Sequence, residues 1–140
     1  MDNVLIDSDV ILDFFFDREP FSDYATEVFS LCENNTIKGF TTPVIISNVY
    51  YLLNKIAKHE VVIEKLKQLL RIIDIAEINK EVIIAALNSK FKDFEDAIQN
   101  YTAENSYSLE IILTRNIKDY QKSNLAVFSP EMYLKSKSSY

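Results

Sequence analysis

Short apolar runs alternate along this chain with longer segments whose apolar residues recur at helical spacing, and that alternation restricts the fold more than any other feature. Residues 4–6 read as a first strand. A helix over 21–33 follows, with Tyr24, Val28 and Leu31 on one face and Ser22 and Asp23 as candidate caps. Residues 38–41 form a second strand, after which Thr42 supplies an N-cap and Pro43 the first position of a helix reaching residue 58. A helix over 61–72 gathers Val62, Leu66, Leu69, Leu70 and Ile73 on one face, residues 73–78 give a third strand, and Asn79 caps a helix running to residue 88. Asp93 opens another helix carrying Asp96, Ala97, Ile98 and Tyr101. Strands over 110–114 and 126–128 precede a terminal helix begun by Ser129-Pro130-Glu131. Strands separated by helices pair in parallel, so the chain is expected to be α/β, a three-layer α/β/α fold around a parallel sheet of about five strands.

The 140 residues, 48% apolar, suffice for one core, and a single domain is expected over 1–134 with a polar tail over 135–140 that frays. With 15 basic and 21 acidic residues the net charge is −6, so bulk charge will not hold a polyanion, and local basic patches or a metal must do so. Cys32 is the sole cysteine, which excludes an intramolecular disulfide and a thiolate zinc site. Gly39 is the sole glycine, which removes the P-loop and the GxGxxG turn. The only histidine, His59, sits in a polar stretch as a solvated helix-end residue, so a histidine acid/base pair is excluded. No basic and apolar leader opens the sequence and no apolar run is long enough to span a bilayer; a cytoplasmic protein without membrane contact is expected.

Against this background four acids stand out at the ends of distant apolar segments: Asp7, Asp93, Asp96 and Asp119. In a parallel sheet, ligands bind beyond the carboxyl ends of the strands, where strand order reverses, and Asp7 ends one strand while Asn116 and Asp119 follow another. Two carboxylates about 4 Å apart repel by roughly 4 kcal/mol at an effective dielectric near 20, so a cluster of them needs a divalent cation or shared protons. The chain is therefore a candidate Mg²⁺ or Mn²⁺ enzyme. Structural roles compete at each position. Asp93 and Asp96 are spaced to cap a helix and complement its dipole, Asn116 and Asp119 suit a turn, and Thr114 either lends its hydroxyl or merely ends a strand. Asp7 has no comparably obvious capping role, while Asp13 and Asp17 read as solvated loop or helix-end charges.

The run Asp7-Ser8-Asp9-Val10, extended through Ile11-Leu12-Asp13 to Arg18-Glu19-Pro20-Phe21, resembles the N-terminal signature of PIN-domain ribonucleases of the bacterial VapC toxin type. Asp96-Ala97-Ile98 and Thr114-Arg115-Asn116-Ile117-Lys118-Asp119-Tyr120 resemble that family's later motifs, in the same order and across essentially the whole chain. The resemblance implies a metal-dependent endoribonuclease with Asp7 and Asp96 as central Mg²⁺ or Mn²⁺ ligands, Asp93 and Asp119 beside them, and Asn116 in the catalytic set. Ser8, Asp9, Asn48 and Thr114 would support the site, and Arg115, Lys118 and Lys92 would meet RNA. It also implies a homodimer and an antitoxin partner. The apolar excess of the helix that begins at Pro43 agrees with a dimer, and Tyr50 and Tyr51 read as packing or dimer-contact residues.

This chain departs from the family pattern at three positions. Asn48 stands where the family usually has glutamate, Asn116 where many members have aspartate, and Asp9 where the signature has asparagine. Two further readings follow. The first is a PIN-like module that has lost catalysis and binds RNA or protein. The second is a haloacid-dehalogenase-type phosphatase, suggested by Val-Leu-Ile-Asp-Ser-Asp-Val but lacking the usual glycine and the usual motif order.

Overall fold

A computed structural model describes residues 1–106 and 108–138. Strand β1 (Asn3–Ile6) leads into α1 (Ser8–Phe15) and α2 (Phe21–Glu33), and β2 (Lys38–Thr41) into α3 (Pro43–Asn54) and α4 (His59–Ile72). Then come β3 (Asp74–Ile75), α5 (Lys80–Leu87), α6 (Phe94–Asn105), β4 (Ile111–Leu113), a 3₁₀ helix (Ile117–Tyr120), β5 (Ala126–Phe128) and α7 (Pro130–Ser138). The five strands are all parallel, in the order β3-β2-β1-β4-β5. The expected α/β architecture is the one observed.

Alternation along β1 builds the three layers, because successive side chains of a strand point to opposite faces. Val4 and Ile6 join the larger core with α1, α2, α3, α4 and Tyr133 of α7, while Leu5 turns to a second cluster with Ile112, Ala103 and Tyr120. Gly39 is needed where β2 meets the larger core. A Cβ there would lie 2.8 Å from Cys32 Sγ and from Ile73 Cγ2, so any side chain would force these two buried neighbours to shift.

Three caps formed as anticipated: Thr42 Oγ1 accepts from the Ile45 amide (3.1 Å), Asn79 Oδ1 from Val82 (3.0 Å) and Asp93 Oδ1 from Asp96 (3.0 Å). Elsewhere the boundaries moved. Ser22 and Asp23 do not cap α2, whose N-cap is Pro20 without a side-chain bond; the Ser22 hydroxyl instead donates to Glu19. Helix α3 stops at Asn54 rather than 58, because Lys58 must be extended to cap α4. Strand β3 keeps only two residues, and Leu70 is exposed rather than part of the α4 core face. Helix α7 continues to Ser138, through part of the segment expected to fray, while residues 139–140 of that segment lie outside the described residues. No helix among the described residues is long and apolar enough to cross a membrane.

Candidate active site

The backbone fixes the first two site residues at neighbouring strand ends. Beyond β1 the Asp7 amide donates to Leu113 O (3.0 Å), and beyond β4 the Thr114 amide donates to Phe128 O (3.0 Å). β1 and β4 flank the reversal of strand order, where α/β sheets open a crevice. Asp7 is only 6% exposed. It does have a capping role, contrary to the expectation from sequence: its Oδ1 accepts from the Ser8 amide (2.8 Å) at the start of α1. Its Oδ2 accepts from Thr114 Oγ1 (2.9 Å) and from the Tyr120 hydroxyl (3.2 Å). Burial pushes its pKa up, against the pull of these donors, and Asp119 adds repulsion.

Asp96 arrives from the first turn of α6. The same Tyr120 hydroxyl lies 3.4 Å from Asp96 Oδ1, so one phenol faces two carboxylates far apart in the sequence. Burial raises the Asp96 pKa to about 7, helped by the charges of Asp7, Asp93 and Asp119. The four acids singled out in the sequence therefore share one field. Asp9, expected only to support them, belongs with them as well: burial and then Asp7 push its pKa up to about 6. Its Oδ2 accepts from the Arg115 amide (3.0 Å) and lies 3.3 Å from Thr114 Oγ1, while its buried Oδ1 has no hydrogen-bond partner among the described residues.

Other expected residues sit differently. Ser8 contributes its amide to Asp7, and Asn116 is exposed, its amide donating to Thr114 Oγ1 (3.0 Å). The Asn48 amide is committed to Glu95 Oε2 (2.7 Å), linking α3 to α6. Lys92 and Lys118 are exposed on the groove beside Asp93 and Asp119. Arg115 points elsewhere. Its guanidinium donates to both oxygens of Asp13 (2.6 and 2.9 Å) and lies 3.9 Å over the Phe21 ring. Asp13 is 1% exposed and also pairs with Arg18, which corrects its reading as a solvated charge. The four-residue spacing of Asp9 and Asp13, which puts both on one face of α1, was the available signal. Tyr120 was missed too, since nothing in its apolar-looking position discloses a buried hydroxyl.

The profile of the PIN domain family matches residues 3–118. The chain belongs to the PIN domain family. This PIN domain is 27% identical over 137 residues to Ribonuclease VapC1 of Aquifex aeolicus (strain VF5), covering 94% of this chain and 93% of that protein. Its fold resembles that of a toxin-antitoxin complex from Klebsiella pneumoniae, at a TM-score of 0.68 and 20% identity over 91% of this chain and 97% of that one. It also resembles VapC20 of Mycobacterium tuberculosis, a Sarcin-Ricin loop cleaving toxin, at a TM-score of 0.65 and 9% identity over 84% and 95%. Membership in the PIN family sets the haloacid-dehalogenase reading aside.

Among the described residues of this PIN domain, no three His, Cys, Asp or Glu side chains are already gathered into a metal cage. The donor chemistry nonetheless fits a hard cation. Asp7, Asp9 and Asp96 offer only oxygens, no lysine or arginine side chain is paired with them among the described residues, and the buried Asp9 Oδ1 is without a partner. Oxygen-only sets of this kind suit Mg²⁺ or Mn²⁺.

Proposed function

We propose that this PIN domain is a metal-dependent endoribonuclease that hydrolyses RNA phosphodiester bonds, a VapC-like toxin of a toxin-antitoxin pair. The observation that carries the reading is the pair of Asp7 and Asp96 facing one Tyr120 hydroxyl at the strand-order reversal, with no cation of their own. In it, Asp7 and Asp96 hold Mg²⁺ or Mn²⁺, with Asp93 and Asp119 contributing charge from the rim. Bound there, such an ion would supply Lewis-acid chemistry, polarising the phosphodiester and lowering the pKa of an attacking water. Thr114 fixes the Asp7 carboxylate, Asp9 adds a further oxygen, and Lys92 and Lys118 meet the RNA backbone. Ser8 and Asn116 supply amides that shape the turn, and Arg115 keeps the 114–116 loop against α1.

The reading extends to assembly. Tyr51 and Ile56, 66% and 71% exposed near Leu52 on and just beyond α3, form an apolar face suited to a homodimer. An antitoxin is the expected protein partner and the cytoplasm the expected compartment. A binding-only PIN domain is the second reading, favoured by one observation: Asn48, whose side-chain amide is committed to Glu95, and Asn116 stand in the sequence where the family pattern carries acids. The deciding assay is RNA cleavage with Mn²⁺, with Mg²⁺ and with EDTA, comparing wild type with Asp7→Asn. Metal-dependent cleavage that the variant lacks supports the nuclease, whereas wild type that binds RNA but never cuts it supports the module.

A further inference from the structure

At the end of the sheet where β4 and β5 stop, a cavity of about 370 Å³ opens between the start of α2, the residues after β4 and the start of α7, and Asp13, Phe21, Tyr24, Arg115 and Glu131 line it. It adjoins the acidic site through two elements. Arg115, whose amide donates to Asp9 Oδ2 (3.0 Å), carries its side chain into the cavity wall, and Asp13 follows Asp9 by one turn of α1, about 6 Å of rise. The strand end is shared as well, because Ser129 in the wall follows Phe128, whose carbonyl accepts from the Thr114 amide.

This lining suits a flat, uncharged ring with polar edges. Arg115 is the one cation lining the cavity among the described residues, and its charge is already balanced: Nε and Nη2 donate to Asp13, and the guanidinium lies 3.9 Å over the Phe21 ring. A phosphate therefore finds no unpaired charge there, whereas Phe21, 37% exposed, and Tyr24 offer aromatic surface. Glu131 supplies an acceptor. Ser129 Oγ accepts from the Met132 amide (3.1 Å) and fixes the first turn of α7, where Glu131 sits. Hydrogen bonding to Glu131 raises the pKa of the Tyr24 phenol, so carboxylate and ring face the same space. Lys135, 3.7 Å from Glu131 Oε1, makes an exposed pairing that solvent weakens.

We infer that this cavity is a base pocket for a single-stranded nucleic acid, taking one guanine from a nucleotide next to the one held at the Asp7–Asp96 site, with Phe21 and Tyr24 against its face and Glu131 on its Watson–Crick edge. Unpaired bases are read in this way, splayed out against aromatic rings and hydrogen-bonded at the edge. Guanine is the base that fits because it alone presents two adjacent donors, N1–H and N2–H, which one carboxylate accepts together. Adenine and cytosine place a ring acceptor beside their amino group, and uracil flanks its one N–H with carbonyls, so each would turn a lone pair toward the charge of Glu131. A cavity of this volume admits a small planar ring. The inference rests on the ribonuclease reading for the strand being RNA and for its course across the Asp7–Asp96 site; the pocket itself needs neither metal nor cleavage.

Fluorescence anisotropy in EDTA tests it, with an end-labelled oligouridine carrying one central guanosine and the same strand with adenosine, cytidine, uridine or inosine at that position. The proteins are wild type, Glu131→Gln, Tyr24→Leu and, as a control on α4, Glu64→Gln, each checked by thermal melting. Wild type should bind the guanosine strand about tenfold more tightly than the adenosine, cytidine and uridine strands, with inosine, which lacks the N2 amino group, in between. Glu131→Gln should bring the guanosine strand down to the level of the others, Tyr24→Leu should weaken it several-fold while leaving the adenosine strand unchanged, and Glu64→Gln should keep the wild-type ratio. Equal binding of the five strands by wild type, a guanosine preference that survives Glu131→Gln, a Tyr24→Leu variant that binds guanosine like wild type, or a control that loses the preference would each overturn the pocket. The two claims fail separately. A guanosine preference that depends on Glu131 in a protein that never cleaves with Mn²⁺ removes the nuclease and leaves the pocket. Mn²⁺-dependent cleavage that is indifferent to the base and unchanged in Glu131→Gln removes the pocket and leaves the nuclease.

Discussion

Asp9 and Asp13 lie one turn apart on α1, both turned toward the loop after β4, yet they meet opposite conditions. Asp13 is buried and neutralised, with both oxygens bonded to the Arg115 guanidinium and Arg18 at 3.5 Å. Among the described residues Asp9 receives only an amide and a shared hydroxyl and keeps one buried oxygen unpartnered, and it stands next to Asp7 and its raised pKa. A buried carboxylate supplied with its own cation is part of the scaffold. A buried carboxylate left among others of its kind retains charge that only a proton or an incoming cation can balance, which is the mark of a site.

The largest effect that would break this contrast comes from the site side. Asp96→Asn removes a charge the cation needs, and losing several kcal/mol of charge stabilisation should lower Mn²⁺-dependent RNA cleavage by at least about a hundredfold. The same change relieves repulsion in the metal-free protein, so its melting temperature in EDTA should hold or rise. A lower melting temperature with cleavage retained would place Asp96 with the scaffold.

Next in size is the scaffold side. Arg115→Met leaves Asp13 buried without its bidentate partner and should cost about 3 kcal/mol in urea unfolding, whereas Asp13→Leu/Arg115→Met, with both charges gone, should recover most of that loss. Cleavage per folded molecule should change only several-fold in the single variant, because the guanidinium is turned to Asp13. A hundredfold loss in a protein still fully folded would mean that Arg115 acts on substrate.

A smaller effect should appear with pH. The folded pKa of Asp96, about 7, lies above its value in the unfolded chain, so between the two the folded state binds more protons. Its contribution to stability is complete below the unfolded pKa and is lost as pH rises through about 7. Metal-free protein should therefore melt lower at pH 8 than at pH 5.5, an added divalent cation should raise the melting temperature more at the higher pH, and Asp96→Asn should flatten the metal-free trend. An unchanged slope in Asp96→Asn would erase the distinction between the two regions.

Much of this was legible in the residues. Thr42, Asn79 and Asp93 announced their helices because a cap is a local hydrogen bond, and the order of strands and helices disclosed the parallel sheet. Asp7, Asp93, Asp96 and Asp119 were identifiable because each stands where an apolar run stops. What could not be read is what depends on a distant partner. Whether Asp13 is solvated or buried depends on Arg115, a hundred and two residues away, and whether Tyr120 is a core ring or a hydrogen-bond donor depends on where Asp7 and Asp96 converge. Asn48 was expected to support the site because of its place in the family motif; its bond to Glu95, forty-seven residues away, is another partner that the sequence does not disclose.

The smallest predicted effect concerns Asp93, which belongs partly to each region. Its Oδ1 caps α6 through the Asp96 amide, a structural duty, while its charge raises the Asp96 pKa. Two substitutions separate these roles. Asparagine keeps the capping oxygen and removes the charge, whereas alanine removes both, at a capping cost of about 1 kcal/mol. Asp93→Asn should melt like wild type in EDTA and lower the pH at which Asp96 titrates, with Mn²⁺-dependent cleavage reduced less than tenfold. Asp93→Ala should lose the same activity and, in addition, the stability of the cap. Equal stability in the two variants would show that the cap contributes nothing measurable. A hundredfold loss of cleavage in Asp93→Asn would move Asp93 from the rim to direct contact with the ion, enlarging the charged region at the expense of the scaffold.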